Sequence, residues 1–144
     1  MTVRTTTLRF DEVEVGQELP EFVLEITPTV IVSTAIATRD YQDVHHDRDL
    51  AKQKGSKDIF MNILTTNGYV GRYITDWTGP EAILKHVSIR LGAPNYPYDS
   101  MRMTGKVTSK ELVDGEGIVT VDIVGRNSLG DHVTGTVRLA LPTE

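Results

Sequence analysis

Hydrophobic residues recur along this chain with two different periods. Phe22, Leu24 and Ile26 alternate with Val23, Glu25 and Thr27, the period of a strand with one buried face. Pro28 closes that strand, and Ser33 suits an N-cap, which predicts a short helix through about Thr38. Ile63, Val70, Ile74 and Trp77 then fall on one face at helical spacing and predict one long helix. Thr78-Gly79-Pro80 stops it, because Gly suits the left-handed position after a helix and Pro cannot continue one. Gly68 and Gly71 lie inside this helix, each costing roughly 1 kcal/mol relative to Ala. Tight packing or an acyl pocket shaped with Tyr69 would each account for them.

After the helix the period becomes two. Ile83, Val87, Ile89 and Leu91 form one alternating set; Met101, Met103 and Val107 a second; Val119, Val121 and Ile123 a third; Val133, Val137, Leu139 and Leu141 a fourth. These predict four half-buried antiparallel strands, with turns at Gly115-Glu116-Gly117 and Leu129-Gly130-Asp131. Residues 1–19 read as a polar lead-in turned at Gly16, and Asp40 to Asp49 and Lys54 to Lys57 read as loops. The order predicts an α+β fold, a single domain over residues 1–144 with an antiparallel sheet packed on one long helix. Such a sheet buries one face and invites completion by a second copy or a relative.

Composition narrows the partners. The 144 residues suit one packed core, and 24% charged with 39% hydrophobic residues is an ordinary globular balance. The net charge is -5 and no basic block stands out, which argues against nucleic acid. With no cysteine, a disulfide scaffold, a thiolate nucleophile and a Cys-based zinc site are excluded. The Thr-rich start lacks the apolar core of a signal peptide and no apolar run approaches membrane-spanning length, so the expected compartment is the cytoplasm.

The chemistry concentrates in Asp40-Tyr41-Gln42-Asp43-Val44-His45. A carboxylate and an imidazole are the groups a protein needs to hold one water and move one proton near neutral pH. His45-His46-Asp47 does not make a metal set, since adjacent residues point apart and no third or fourth ligand stands nearby. His46 and Asp47 suit loop hydrogen bonds, while His86 and His132 read as structural or surface residues. Lys52, Lys54 and Lys57 could meet phosphates or simply form a solvated loop face.

The Asp40–His45 spacing carries a resemblance. The motif Asp, any residue, Asn, Pro, an aliphatic residue, His, five residues, then Ala or Ser is matched at Asp40, Val44, His45 and Ala51. In this order of elements it resembles the MaoC-like (R)-specific enoyl-CoA hydratases, whose fold is the hot-dog, a sheet wrapped around a central helix. Residues 38–49, 55–60 and 125–132 are further similar to the small catalytic MaoC-like subunits of actinobacterial steroid side-chain hydratases. The departures are Arg39 for the usual Gly, Gln42 for Asn, Asp43 for Pro, and Asn62 for the Gly that commonly opens the long helix.

The resemblance implies an enoyl-CoA hydratase that adds water across the α,β double bond of a bulky, steroid-like acyl-CoA thioester. Asp40 and His45 would be its catalytic pair, with the roles of base and acid left open because coupled groups titrate together. Backbone N–H groups of Asn62 and Ile63, at the start of the long helix, would hold the enolate oxygen; a plain N-cap is the competing role for Asn62. No cofactor is implied beyond the CoA of the substrate. The implied assembly is a heterodimer or heterotetramer with a second MaoC-like hot-dog protein, with a homodimer as the alternative. A 3-hydroxyacyl-thioester dehydratase, a hot-dog thioesterase and a non-catalytic acyl-binding subunit are the competing readings.

Overall fold

The computed structural model describes residues 1–144. Five strands, β1 (Phe22–Ile26), β2 (Ile83–Leu91), β3 (Asp99–Val113), β4 (Glu116–Asn127) and β5 (Gly130–Leu141), make one antiparallel sheet in the order β1-β3-β4-β5-β2. Three helices precede β2: α1 (Pro28–Ala37), α2 (Arg48–Gln53) and the long α3 (Ile63–Thr78). Val70, Tyr73, Ile74 and Trp77 of α3 join the inward positions of β3, β4 and β5 in one apolar core. Each fully buried aliphatic side chain contributes about 1.5–3 kcal/mol of transfer free energy.

Several elements differ from the sequence expectation, each for a local reason. Helix α1 begins at Pro28, not Ser33, because the Thr27 side chain accepts from the Val30 N–H at 3.1 Å and Pro28 takes the first helical position, where its missing N–H costs nothing. The loop expected over Asp40 to Asp49 contains a 3-10 turn at Asp43–His45 and the start of α2, which is capped by Asp47 accepting from Asp49 and Leu50 N–H groups. The β3–β4 turn sits at Asp114-Gly115, both at positive φ (51° and 82°), the signature of a tight two-residue hairpin. The lead-in is part of the core: Leu8, Val13 and Leu19 are buried, and Lys110 Nζ donates to the Phe10 and Val13 carbonyls at 2.7 and 2.6 Å.

Two apolar sets are less covered than their periods implied. Ile63 is 52% exposed and borders a cavity at the start of α3, whereas Thr65 and Thr66 of the same turn are buried. Strand β2 is an edge strand, paired only with β5, and its Ile83, Leu84 and Leu91 are exposed. That edge keeps unpaired backbone groups beside apolar side chains, a surface proteins ordinarily cover. No helix is long and apolar enough to cross a membrane.

Candidate active site

The approach to Asp40 is built by the end of α1. The Arg39 N–H bonds the Ile36 carbonyl at 3.0 Å and the Asp40 N–H bonds the Ala35 carbonyl at 2.9 Å, a Schellman ending that requires the intervening residue to be left-handed. Arg39 takes that conformation at φ 58°. A side chain there costs about 1–2 kcal/mol that Gly would not. This turn directs the Asp40 carboxylate back toward the N-terminus of α3.

His45 comes from the 3-10 turn and is 7% exposed. Its Nδ1 lies 2.6 Å from the Phe60 carbonyl, and its ring stands edge-on to the Phe60 ring at 5.0 Å. A carbonyl only accepts, so Nδ1 carries the proton and, in the neutral ring, Nε2 carries the lone pair. Nε2 sits 3.4 Å from Asp40 Oδ2. The Val44 side chain packs against the core while its carbonyl accepts from the Phe60 N–H at 3.0 Å, and Ala51 is the completely buried residue of α2, so an aliphatic and a small side chain suit those two positions.

Asn62 stands between these groups and the helix. Its Oδ1 accepts from the Thr65 N–H at 3.1 Å, so the expected N-cap role is present. Its Nδ2 donates to Asp40 Oδ2 at 3.1 Å and to Thr38 Oγ1 at 2.9 Å. The backbone N–H groups of Asn62, Ile63 and Leu64 have no acceptor within the chain. Of these residues, Asn62 and Ile63 border a cavity of about 290 Å³ together with Asp40, His45, Leu91 and His132. The four residues singled out in the sequence therefore meet at one place.

His132, expected to be structural or surface, is structural and not surface: it borders the cavity as a buried brace. It is 2% exposed; its Nδ1 donates to the Ala93 carbonyl at 2.7 Å and its Nε2 accepts from the Thr66 hydroxyl at 2.8 Å. It thus ties the wall after β2 to α3. Burial pushes its pKa below the ordinary 6.5, with the bond to Ala93 opposing. A folded state that binds fewer protons than the unfolded one keeps this contribution above pH 6.5 and loses it as pH falls below that value. The urea midpoint of the wild type should therefore drop between pH 7.5 and 5.5 by more than that of His132→Gln; parallel curves would contradict this.

The remaining candidates are resolved by their contacts. Lys54 is engaged with Asp43 at 2.7 Å; this hydrogen bond and the Lys54 charge hold the Asp43 carboxyl below its usual range. Lys57 lies over the Tyr96 ring at 5.7 Å. Gly71 backs onto Leu84, a packing role, whereas Gly68 and Tyr69 border an apolar groove of about 230 Å³ between α1 and α3. His86 is exposed on β2.

No family model matches the chain. The chain is 58% identical over 127 residues to the 3-oxo-4,17-pregnadiene-20-carboxyl-CoA hydratase beta subunit of Mycobacterium tuberculosis, covering 88% of this chain and 95% of the relative. A crystal structure of the ChsH1–ChsH2 complex from M. tuberculosis contains a chain that superposes with a TM-score of 0.83 at 58% identity, covering 89% of this chain and 98% of that one. The R-hydratase PhaJ1 of Pseudomonas aeruginosa (TM-score 0.85, 21% identity, 96% and 88% covered) shares the fold. So does a MaoC-like dehydratase of Rhodospirillum rubrum (TM-score 0.80, 17% identity, 95% and 98% covered). With this hot-dog architecture and that identity over nearly nine-tenths of its length, the chain belongs to the MaoC-like enoyl-CoA hydratase family.

Proposed function

We propose that this chain is the catalytic subunit of an enoyl-CoA hydratase that adds water to the α,β double bond of a bulky, steroid side-chain acyl-CoA thioester. The observation that carries this reading is the placement of Asp40 Oδ2 and His45 Nε2 at 3.4 Å, with the His45 tautomer set by Phe60. Two acceptors facing each other at that distance suit one water that donates an O–H to each. Attack of its oxygen on the β-carbon transfers one water proton to the pair, and the pair delivers a proton to the α-carbon. Water is thereby added as hydroxyl and hydrogen with no net proton change.

As the β-carbon is attacked, negative charge develops on the thioester oxygen. In this reading the backbone N–H groups of Asn62 and Ile63 receive it; that both lack an acceptor within the chain and both residues border the cavity supports the role. The reaction needs no cofactor beyond the CoA that the substrate carries. The steroid-sized acyl group and a MaoC-like partner rest on the M. tuberculosis relative, named for a pregnadiene carboxyl-CoA and seen in a two-protein complex. The open edge of β2 supports such a partner. An acyl-CoA substrate supports a cytoplasmic setting.

Loss of conjugated-thioester absorbance, followed with a short-chain and a steroid-sized enoyl-CoA, tests the reading for the chain alone and with a MaoC-like partner. Hydration of the larger substrate by the chain in its assembly is the expected result. A folded assembly that hydrates neither substrate would leave an acyl-binding role, and release of free CoA would point to a thioesterase.

A further inference from the structure

The structure assigns Asn62 a second role, as the positioning residue for the Asp40 carboxylate; this rests on the reading of Asp40 as a catalytic group. Asn62 is 1% exposed, so its amide must find all its partners within the protein. Its orientation follows from those partners. The Thr65 N–H can only donate, so the amide oxygen must face it, and the amide nitrogen must face Asp40 and Thr38. Both amide protons are then used, one on Asp40 Oδ2 at 3.1 Å and one on Thr38 Oγ1 at 2.9 Å.

Thr38 is itself committed. Its hydroxyl donates to the α1 carbonyls, with Thr34 at 2.8 Å, so it presents only a lone pair to Asn62. The amide is locked between the last turn of α1 and the first turn of α3. Asp40 lies just beyond a left-handed residue, where the chain leaves α1. Its other carboxylate oxygen is held only by the Gln42 N–H at 3.3 Å. Asn62 therefore supplies the rigid side-chain contact that keeps Oδ2 facing His45 Nε2. A carboxylate that swings away loses the two-sided grip on water, and misplacement by about 1 Å can cost on the order of 10²-fold in rate.

The test separates this role from helix capping. Ser is as good an N-cap as Asn but lacks the amide protons. In the intact assembly, Asn62→Ser should melt near the wild-type temperature and lower kcat by roughly 10–100-fold with little change in KM. Asn62→Asp keeps the cap and the shape but sets an oxygen against Asp40 Oδ2, so its loss of kcat should exceed that of Asn62→Ser. In an Asp40→Asn background, adding Asn62→Ser should lower kcat no further, because the two residues act as one unit. Wild-type kcat in Asn62→Ser, or independent additive losses, would overturn the positioning role. Wild-type activity in Asp40→Asn alone would instead overturn the catalytic reading on which it rests.

Discussion

His45→Ala is expected to lower kcat for enoyl-CoA hydration by about 10²–10⁴-fold, the usual contribution of a positioned proton-transfer group. The variant removes Nε2 from its place opposite Asp40 Oδ2 and leaves the carboxylate without a second acceptor to hold water. It also frees the Phe60 carbonyl from its bond at 2.6 Å, which costs about 1–3 kcal/mol of stability if that oxygen stays dry. The activity loss should therefore exceed the stability loss, and circular dichroism with thermal melts separates the two. Asp40→Asn should fall by a similar factor. The double variant should be little worse than either single one, since the pair grips one water between them. If a folded His45→Ala protein retained kcat within tenfold of wild type, the proton transfer would have to be placed elsewhere.

Gly135→Ala should be the most damaging of the small substitutions in the sheet. Gly135 pairs with Ile89 across β5 and β2, and a Cβ there would lie 2.3 Å from the Ser88 carbonyl oxygen and 3.1 Å from the Ile89 Cα. Both obstacles are backbone, so no rotamer change relieves them and β2 itself must shift. We expect a loss of about 3 kcal/mol, near the upper end of ordinary overpacking costs. Gly68→Ala is the contrast. Its Cβ would meet nothing within 4 Å, and the gain in helix propensity makes it neutral or stabilising by up to about 1 kcal/mol. Because β2 carries the open edge, Gly135→Ala should also weaken assembly, which sedimentation velocity would register. An unchanged melting temperature in Gly135→Ala would mean that β2 and β5 are not paired in this register.

Local order was legible in the sequence wherever it depends on a few adjacent residues. The alternating positions of β1, β3, β4 and β5 are buried in the expected sense, and α3 ends at Thr78 as Thr78-Gly79-Pro80 indicated. Asp40 and His45 meet because a helix ending and a single 3-10 turn separate them, and both are short-range structures. Even the departures at Arg39 and Asn62 were visible as residue types, although their consequences were not.

Those consequences depend on groups far apart in the chain. The Asn62–Asp40 bond joins the ends of two helices, and the His132–Thr66 bond joins residues 66 positions apart. Neither has a periodic signature, because a single hydrogen bond between distant elements leaves no repeat to read. The buried lead-in and the bare face of β2 are likewise tertiary outcomes: β1 and β2 are both edge strands of similar hydrophobic pattern, yet Phe22 and Ile26 are buried while Ile83, Leu84 and Leu91 are exposed, because cover depends on what packs against each strand. Side-chain period and cap chemistry are properties of the chain and determined the elements and the carboxylate–imidazole spacing. Which orphan donors face the cavity, which amide holds Asp40 and which edge remains open were decided only when the helices packed on the sheet, because burial is a property of the assembled fold.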